Sequence, residues 1–286
     1  MGDEPCYLYK DRDDRMGSNF MIQIGIYILS KKEGVRTFMK KAASKYRYIN
    51  TLFFRPFRND LDMMTAPNPQ LKHLYWGMRG PVAQFVIEHK QDAASYFYEN
   101  FRDDYFKQVA VDAEKMNYGL PWKNKDDAIC FHLRFEDMAR ERDINGTSGF
   151  NRYVDWIHKG TYENVYKKDM ADDQCPININ LFEKKVISLQ SSHPDKQIYI
   201  ITHGSVPAKY MGIVDKYGLV VFNKNSEEYD CWLMANCHTL VITKSTFPII
   251  PAFYFQGKEI HYQVWPRWAC MGIGTKYDRS GWIGFE

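Results

Sequence analysis

Residues 128–134 read AICFHLR, a short apolar run that contains no glycine or proline and ends in an arginine. Similar runs recur downstream and are nearly continuous in apolarity, as strands buried on both faces should be: residues 197–203, 219–223, 239–244 and 259–264. Helical patterns fall between most of these runs, at residues 150–158, 180–190, 206–217, 227–236 and 248–255. Strands that alternate with helices at this spacing predict an α/β fold with a parallel sheet in the C-terminal half of the chain.

The N-terminal half of the chain shows a less regular pattern. It opens with the short apolar run Cys6–Tyr9. A buried helix is predicted from Phe20 to about Lys31, capped by Ser18 or Asn19 and ended near Gly34.

A second strand is expected over Tyr48–Phe54, and residues 84–117 have a helical pattern with one or two breaks. The polar stretch LPWKNK at residues 120–125 is typical of a linker. We therefore expect an N-terminal domain over residues 1–122 and a C-terminal domain over residues 123–286.

The composition excludes several classes of protein. Of the 286 residues, 45% are hydrophobic and 26% are charged, which is enough to build a core and argues against wholesale disorder. The net charge of +3 is too small to predict nucleic-acid binding. The 16% aromatic content leaves a single-stranded nucleic-acid binder as a weak alternative.

Cysteine spacing and hydropathy indicate the compartment. The six cysteines are scattered without CxxC spacing, which predicts reduced core residues rather than a disulfide framework or a zinc site. The first residues do not resemble a signal peptide, and the longest apolar run, Phe20–Leu29, is far short of the roughly 20 residues of a membrane span. These features predict a cytoplasmic protein with no membrane span.

Polar residues follow three of the predicted strands. His132 and Arg134 end the first strand, and Glu136 and Asp137 come directly after it. The second strand ends in Thr202-His203-Gly204-Ser205, and the fourth in Thr243-Lys244-Ser245-Thr246. Because ligands of open parallel sheets bind outside the carboxyl ends of the strands, these groups predict a binding site there. Each group taken singly also fits an ordinary surface, capping or core role.

Phosphate is the chemistry that these residue types favour. The guanidinium of Arg134 matches phosphate oxygens, and Ser245 and Thr246 offer hydroxyls where a helix is expected to begin. The sequence contains neither GxxxxGK[ST] nor GxGxxG, which argues against a P-loop NTPase and a dinucleotide dehydrogenase.

Three motifs resemble those of fucosyltransferases. The segment RMGSNF at residues 15–20 is similar to the Gly-Asn-Gln loop and helix that begin many members. HLRFED at residues 132–137 resembles the family's His-x-Arg-Arg-Gly-Asp motif. DCWLMANCH at residues 230–238, followed by VITKSTF at residues 241–247, resembles the Asp…Leu-Met-x-x-Cys…Ser-Ser/Thr-Phe stretch.

The resemblance implies a GT-B glycosyltransferase, with two Rossmann-like domains facing across a cleft. Such an enzyme is inverting, independent of metal and without a cofactor. It transfers a sugar from a nucleotide-sugar donor, GDP-fucose by default, to a glycan or glycoprotein hydroxyl. The C-terminal domain is expected to hold the donor, and the N-terminal domain is expected on the acceptor side. The residues expected on the donor side are Arg134, His132, Ser245, Thr246, Lys244, Asp230, His203, Gly17, Asn19, Arg15 and Arg12. The sequence departs from the family at Phe135, Glu136 and Pro248-Ile249, which leaves UDP-xylose or another nucleotide sugar open as the donor.

An inverting transfer requires a base for the acceptor hydroxyl. The carboxylates that we expect to supply it are Glu136 and Asp137, followed by Asp13 and Asp14. Two alternatives stay open. Asp11-Arg12-Asp13 matches the Asp-x-Asp pattern of a metal-dependent GT-A transferase, and a non-catalytic carbohydrate-binding module could share the fold.

Overall fold

A computed structural model describes residues 6–10, 16–20, 24–34, 36–40, 50–60, 62–64, 95–135, 176–263 and 282–285. These residues form two compact units, which divide between Gly119 and Leu120. Trp122 belongs to the second unit, where its indole Nε1–H donates to the carbonyl oxygen of Asn236 at 3.0 Å.

The N-terminal unit contains a parallel three-stranded sheet in the order β1-β2-β3. Its strands are β1 (Cys6–Lys10), β2 (Arg36–Lys40) and β3 (Asp62–Met64). Its helices are α1 (Met16–Asn19), α2 (Gly25–Glu33), α3 (Arg55–Asp60) and α4 (Arg102–Lys115), and residues 95–100 are also helical. The helical pattern predicted up to residue 117 is confirmed over the part of it that the structure describes, with the break at Phe101.

Two predictions for this unit are wrong. Ser18 and Asn19 do not precede the first helix as caps, because α1 already begins at Met16. The segment predicted as a strand at Tyr48–Phe54 is a turn over its described residues and leads into α3. The stop near Gly34 is confirmed, since Gly34 has a φ of 71° and ends α2 in the left-handed conformation that glycine tolerates best.

Aromatic side chains build the core of the N-terminal unit. Phe57 is fully buried and lies in edge-to-face contact with Tyr27 and Tyr105, at centroid distances of 5.4 and 4.9 Å. The hydroxyls of Tyr27 and Tyr105 are 3.0 Å apart, so the two buried rings satisfy each other's polar atoms. Burial in this core explains why an aromatic segment with a strand-like composition adopts a turn and a helix.

The C-terminal unit is a six-stranded parallel sheet in the order β6-β5-β4-β7-β8-β9, which confirms the α/β prediction. Its strands are β4 (Ala128–His132), β5 (Gln197–Ile201), β6 (Val220–Phe222), β7 (Thr239–Ile242), β8 (Glu259–Gln263) and β9 (Trp282–Phe285). Its helices are α5 (Ile179–Ser192), α6 (Ala208–Lys216), α7 (Glu227–Ala235) and α8 (Ile249–Phe253). The helix predicted at residues 150–158 lies outside the described residues.

Every residue of the central strands β4 and β7 is buried, so both faces of the sheet are covered there, as its apolar strands require. Ile129, Phe131 and Ile200 pack with Phe182 of α5 and Tyr210 of α6 in one buried cluster. The thiols of Cys130, Cys231 and Cys237 are free and buried, as predicted for these cysteines. Within the described parts of the chain, no helix is both long and apolar enough to cross a membrane.

The order of the strands locates a crevice. The chain leaves β4 on one side through β5 and β6, and returns to its other side through β7 and β8. Neighbouring strands β4 and β7 therefore continue into loops that lead in opposite directions. In open α/β sheets this reversal opens a crevice at the carboxyl ends of the two strands, where ligands bind.

Candidate functional site

Two of the predicted polar strand ends lie on the two sides of this crevice. His132 is the last residue of β4 and leads into Leu133 and Arg134, and the segment Lys244–Thr246 comes shortly after β7. Since β4 and β7 pair directly, from Ile129 with Thr239 to Phe131 with Val241, the structure brings these segments together. They are more than one hundred residues apart in the chain.

His132 is enclosed by the segment that follows β7. Its carbonyl oxygen accepts a hydrogen bond of 3.1 Å from Oγ1 of Thr243. Its ring lies 5.8 Å from the ring of Phe247, and the residue is only 5% exposed. The contacts of His132 thus join the end of β4 to the end of β7.

Arg134 is half-buried between two buried apolar neighbours, Leu133 and Phe135. The backbone N–H of Leu133 donates to the carbonyl oxygen of Ile201, and the ring of Phe135 packs edge-on against Tyr210 at 4.9 Å. These contacts fix the backbone on both sides of Arg134. Phe135, which stands where the resembled motif has its second arginine, is a core residue here.

The segment after β7 supplies hydroxyl and ammonium groups. Thr243 and Ser245 are buried, whereas Lys244 and Thr246 are half-buried. Oγ of Ser245 accepts a hydrogen bond from the backbone N–H of Phe247 at 3.4 Å, so the serine stabilises its own turn.

The helix expected at residues 248–255 is shorter than predicted. Only Ile249–Phe253 are helical, and they follow Pro248 without a side-chain cap. A macrodipole grows from the aligned peptide units of several turns, so a helix of this length adds little to anion binding. This helix terminus is therefore not a strong site for an anion, and the groups at this end of the sheet that match phosphate oxygens are side chains.

The end of β5 lies beside the end of β4. His203 is exposed, and Gly204 adopts a φ of 76°, which turns the chain sharply after the strand. Thr202 is buried, and its hydroxyl has no hydrogen-bond partner among the residues that the structure describes. The sequence singled out His203 at this position. His203 is exposed, whereas its neighbour Thr202 is held inside the fold.

Asp230 lies in the first turn of α7. Because this helix follows β6, it begins at the carboxyl ends of the strands. Oγ of Ser226 caps this helix by accepting from the N–H of Tyr229 at 3.2 Å. The Asp230 carboxyl is buried and accepts a hydrogen bond of 2.9 Å from Nδ2 of Asn225. Burial raises the pKa of Asp230 to about 7, while the Asn225 bond acts in the opposite direction.

The predicted residues of the N-terminal unit are described only in part. Gly17 is buried in α1, and the backbone of Asn19 ends the same helix. Its other predicted residues, Arg12, Asp13, Asp14 and Arg15, lie outside the described residues, as do Glu136 and Asp137 of the C-terminal unit. The assignment of a catalytic base to one of these four carboxylates stays a prediction.

A second polar cluster, which the sequence did not indicate, lies between α5 and β8. Nζ of Lys185 is 2.7 Å from Nδ1 of His261, and the Nε2 atoms of His261 and His193 lie 3.1 and 3.3 Å from Oε2 of Glu259. Since an ammonium group can only donate, Nδ1 of His261 accepts and its proton sits on Nε2. Over the described ranges, no three His, Cys, Asp or Glu side chains are arranged to hold a metal ion.

Neither a family model nor a curated protein sequence matches this chain. Among solved structures, POFUT1 in complex with GDP is 8% identical, with a TM-score of 0.44 over 100% of this chain and 99% of that one. The E. coli heptosyltransferase WaaC with ADP-2-deoxy-2-fluoro heptose is also 8% identical, with a TM-score of 0.41 over 98% of this chain and 92% of that one. The fold assignment follows from the strand order and pairing of this chain itself.

Proposed function

We propose that this protein is a glycosyltransferase that transfers a sugar from a nucleotide-sugar donor to a hydroxyl of a glycan or glycoprotein. One observation carries this proposal: a guanidinium group and a run of Lys, Ser and Thr flank the crevice where the strand order reverses. A diphosphate offers anionic oxygens, and these are the side chains that bind such oxygens best.

In the proposed reaction, the acceptor oxygen attacks the anomeric carbon of the donor sugar and the nucleoside diphosphate leaves from the opposite face. Arg134 stabilises the negative charge that develops on the leaving group, with help from Lys244 and the hydroxyl of Thr246. A carboxylate takes the proton of the acceptor hydroxyl. Glu136 and Asp137 are our first candidates for this base, and Asp13 and Asp14 are the second.

The donor and the metal requirement follow from the motif resemblance. GDP-fucose is the first donor to test, and UDP-xylose is the main alternative. We expect transfer with inversion and without a metal ion, because cationic side chains take the place that a divalent ion has in metal-dependent transferases.

The test is to incubate the purified protein with GDP-fucose, UDP-xylose and related donors, with and without EDTA, and to measure release of the nucleoside diphosphate. We expect release from one donor class and the same rate in EDTA. Loss of activity in EDTA would favour the metal-dependent alternative. Donor binding without any turnover would favour a non-catalytic binding module.

The Arg134→Ala variant tests the residue that the proposal depends on most. We expect the rate of transfer to fall by roughly 10²- to 10³-fold, the usual cost of removing one group that stabilises transition-state charge. Arg102→Ala is the matched control, since Arg102 lies on α4 in the other unit and pairs with its neighbour Asp103. Equal rates for the two variants would contradict the role proposed for Arg134.

A further inference from the structure

We propose that Thr243 is a positioning residue, whose hydroxyl holds the end of β4 to the end of β7 and so sets the spacing of the groups that bind the donor diphosphate. This inference rests on the proposed function. It adds a residue that contacts neither the phosphate nor the sugar and acts through the backbone of His132.

The hydroxyl acts at the point where strand pairing stops. The ladder between β4 and β7 ends at the pair Phe131–Val241. Beyond that pair, Oγ1 of Thr243 donates to the carbonyl oxygen of His132 at 3.1 Å, and both residues are at least nine-tenths buried. A side-chain hydrogen bond thus continues the connection between the two strands towards the crevice.

A second contact spans the same two segments. The ring of His132 lies against the ring of Phe247 at 5.8 Å. Arg134 follows His132 by two residues, and Ser245 and Thr246 lie between Thr243 and Phe247. The segment Lys244–Thr246 therefore lies between two contacts to His132, and these contacts limit how far the two sides of the crevice can separate.

The role of the hydroxyl can be separated from packing, because valine has nearly the shape of threonine but no hydrogen-bond donor. Thr243→Val keeps the packing of this buried site and removes only the hydrogen bond. A displacement of about 1 Å at a binding group is enough to change rates by a factor on the order of 100. For a small displacement of only one side of the crevice, we expect about tenfold weaker binding of the nucleoside diphosphate.

Thr239 provides a matched control in the same strand. It is also fully buried, and its Oγ1 lies 2.8 Å from Nδ1 of His238 at the opposite edge of the sheet. Thr239→Val removes one buried hydroxyl contact, as Thr243→Val does, but at the other end of β7 and far from the crevice. Any general effect of weakening β7 therefore appears in both variants.

The experiment titrates GDP and UDP into the intact protein by calorimetry, for the wild type, Thr243→Val, Thr243→Ser and Thr239→Val. Denaturant unfolding of each variant checks that it is folded. We expect about tenfold weaker binding for Thr243→Val, wild-type binding for Thr239→Val, and recovery to within about twofold for Thr243→Ser, which keeps the hydroxyl. If Thr243→Val does not fold, Thr243→Ala is compared with Thr243→Ser instead.

Wild-type affinity in Thr243→Val, or an equal loss in Thr239→Val, would overturn the inference while the proposed function stands. Failure of Thr243→Ser to recover binding would also overturn it. A wild-type protein that binds neither GDP nor UDP would instead contradict the proposed function, on which the inference depends.

Discussion

At Asp230, burial and hydrogen bonding act on the carboxyl pKa in opposite directions, and burial has the larger effect. In the unfolded chain this carboxyl loses its proton near pH 3.8, whereas in the folded protein it keeps the proton up to about pH 7. Between these values the native state binds more protons than the unfolded state, so its stability falls as the pH rises.

Replacing Asp230 with Asn removes this cost, because the amide oxygen still accepts from Asn225 and carries no charge. We expect Asp230→Asn to have a larger free energy of unfolding than the wild type at pH 8. The gain in free energy of unfolding at pH 8 should exceed the gain at pH 5 by on the order of 3 kcal/mol. Denaturant unfolding at the two pH values measures this difference. A gain that does not depend on pH would show that the carboxyl titrates normally.

At the same scale, the sequence singled out polar residues that the structure places at the ends of β4 and β7, but it did not indicate what they contact. Arg134 and the run Lys244–Thr246 were identified because polar groups stand out at the ends of apolar strands. The bonds from Thr243 to His132 and from Asn225 to Asp230 join residues by tertiary packing or by a local turn. No pattern in the sequence specifies such pairs.

Among the elements, the five strands β4 to β8 were predicted within a few residues because they are apolar and buried on both faces. The strands that were missed lack that pattern. β2 begins and ends with basic residues, and β3 has only three residues. β9 has only four residues and contains Gly284. The ring of Tyr262 lies over this glycine, and a Cβ atom at position 284 would be 3.1 Å from the tyrosine hydroxyl oxygen.

The polar cluster around Lys185 and His261 connects α5 to β8 and β9. Lys185 of α5 donates to His261 of β8, and its ammonium lies 4.9 Å from the centre of the Phe285 ring in β9. Burial lowers the pKa of His261, and the Lys185 charge lowers it further, while Glu259 acts in the opposite direction and His193 adds a smaller repulsion. Protonated His261 would place a second donor against the ammonium group.

We therefore expect acid to weaken this cluster. Below about pH 6.5 His261 is protonated in the unfolded chain, whereas in the native state its lowered pKa keeps it neutral to lower pH. Its contribution to the free energy of unfolding therefore falls as the pH falls. His261→Asn keeps an acceptor for Lys185 but does not titrate, and it should lose less stability between pH 7.5 and pH 5.5 than the wild type. Unfolding curves at both values test this, and identical losses would contradict it. His238 has a pKa lowered by burial as well, and its contribution remains in both proteins.

For the whole molecule, the C-terminal unit contains every strand of its own sheet and its own buried cluster. A fragment of residues 120–286 should therefore unfold cooperatively in denaturant. If the donor site lies where we propose, this fragment binds GDP or UDP within a few-fold of the intact protein but does not transfer sugar, because the acceptor side is expected in the other unit. Calorimetry and the donor-release assay measure both properties. A fragment that folds but binds neither nucleotide would place the donor site elsewhere.

The pairing of β4 with β7 also has a consequence for how the protein folds. Ile129 lies beside Thr239, so the central ladder closes a loop of more than one hundred residues. Parallel contacts between such distant segments form slowly, because the entropy of loop closure is lost before the contacts can compensate for it. During refolding, the two sides of the crevice come together only when this ladder forms. Recovery of nucleotide binding should therefore follow the slowest folding phase and lag behind the return of helical circular dichroism.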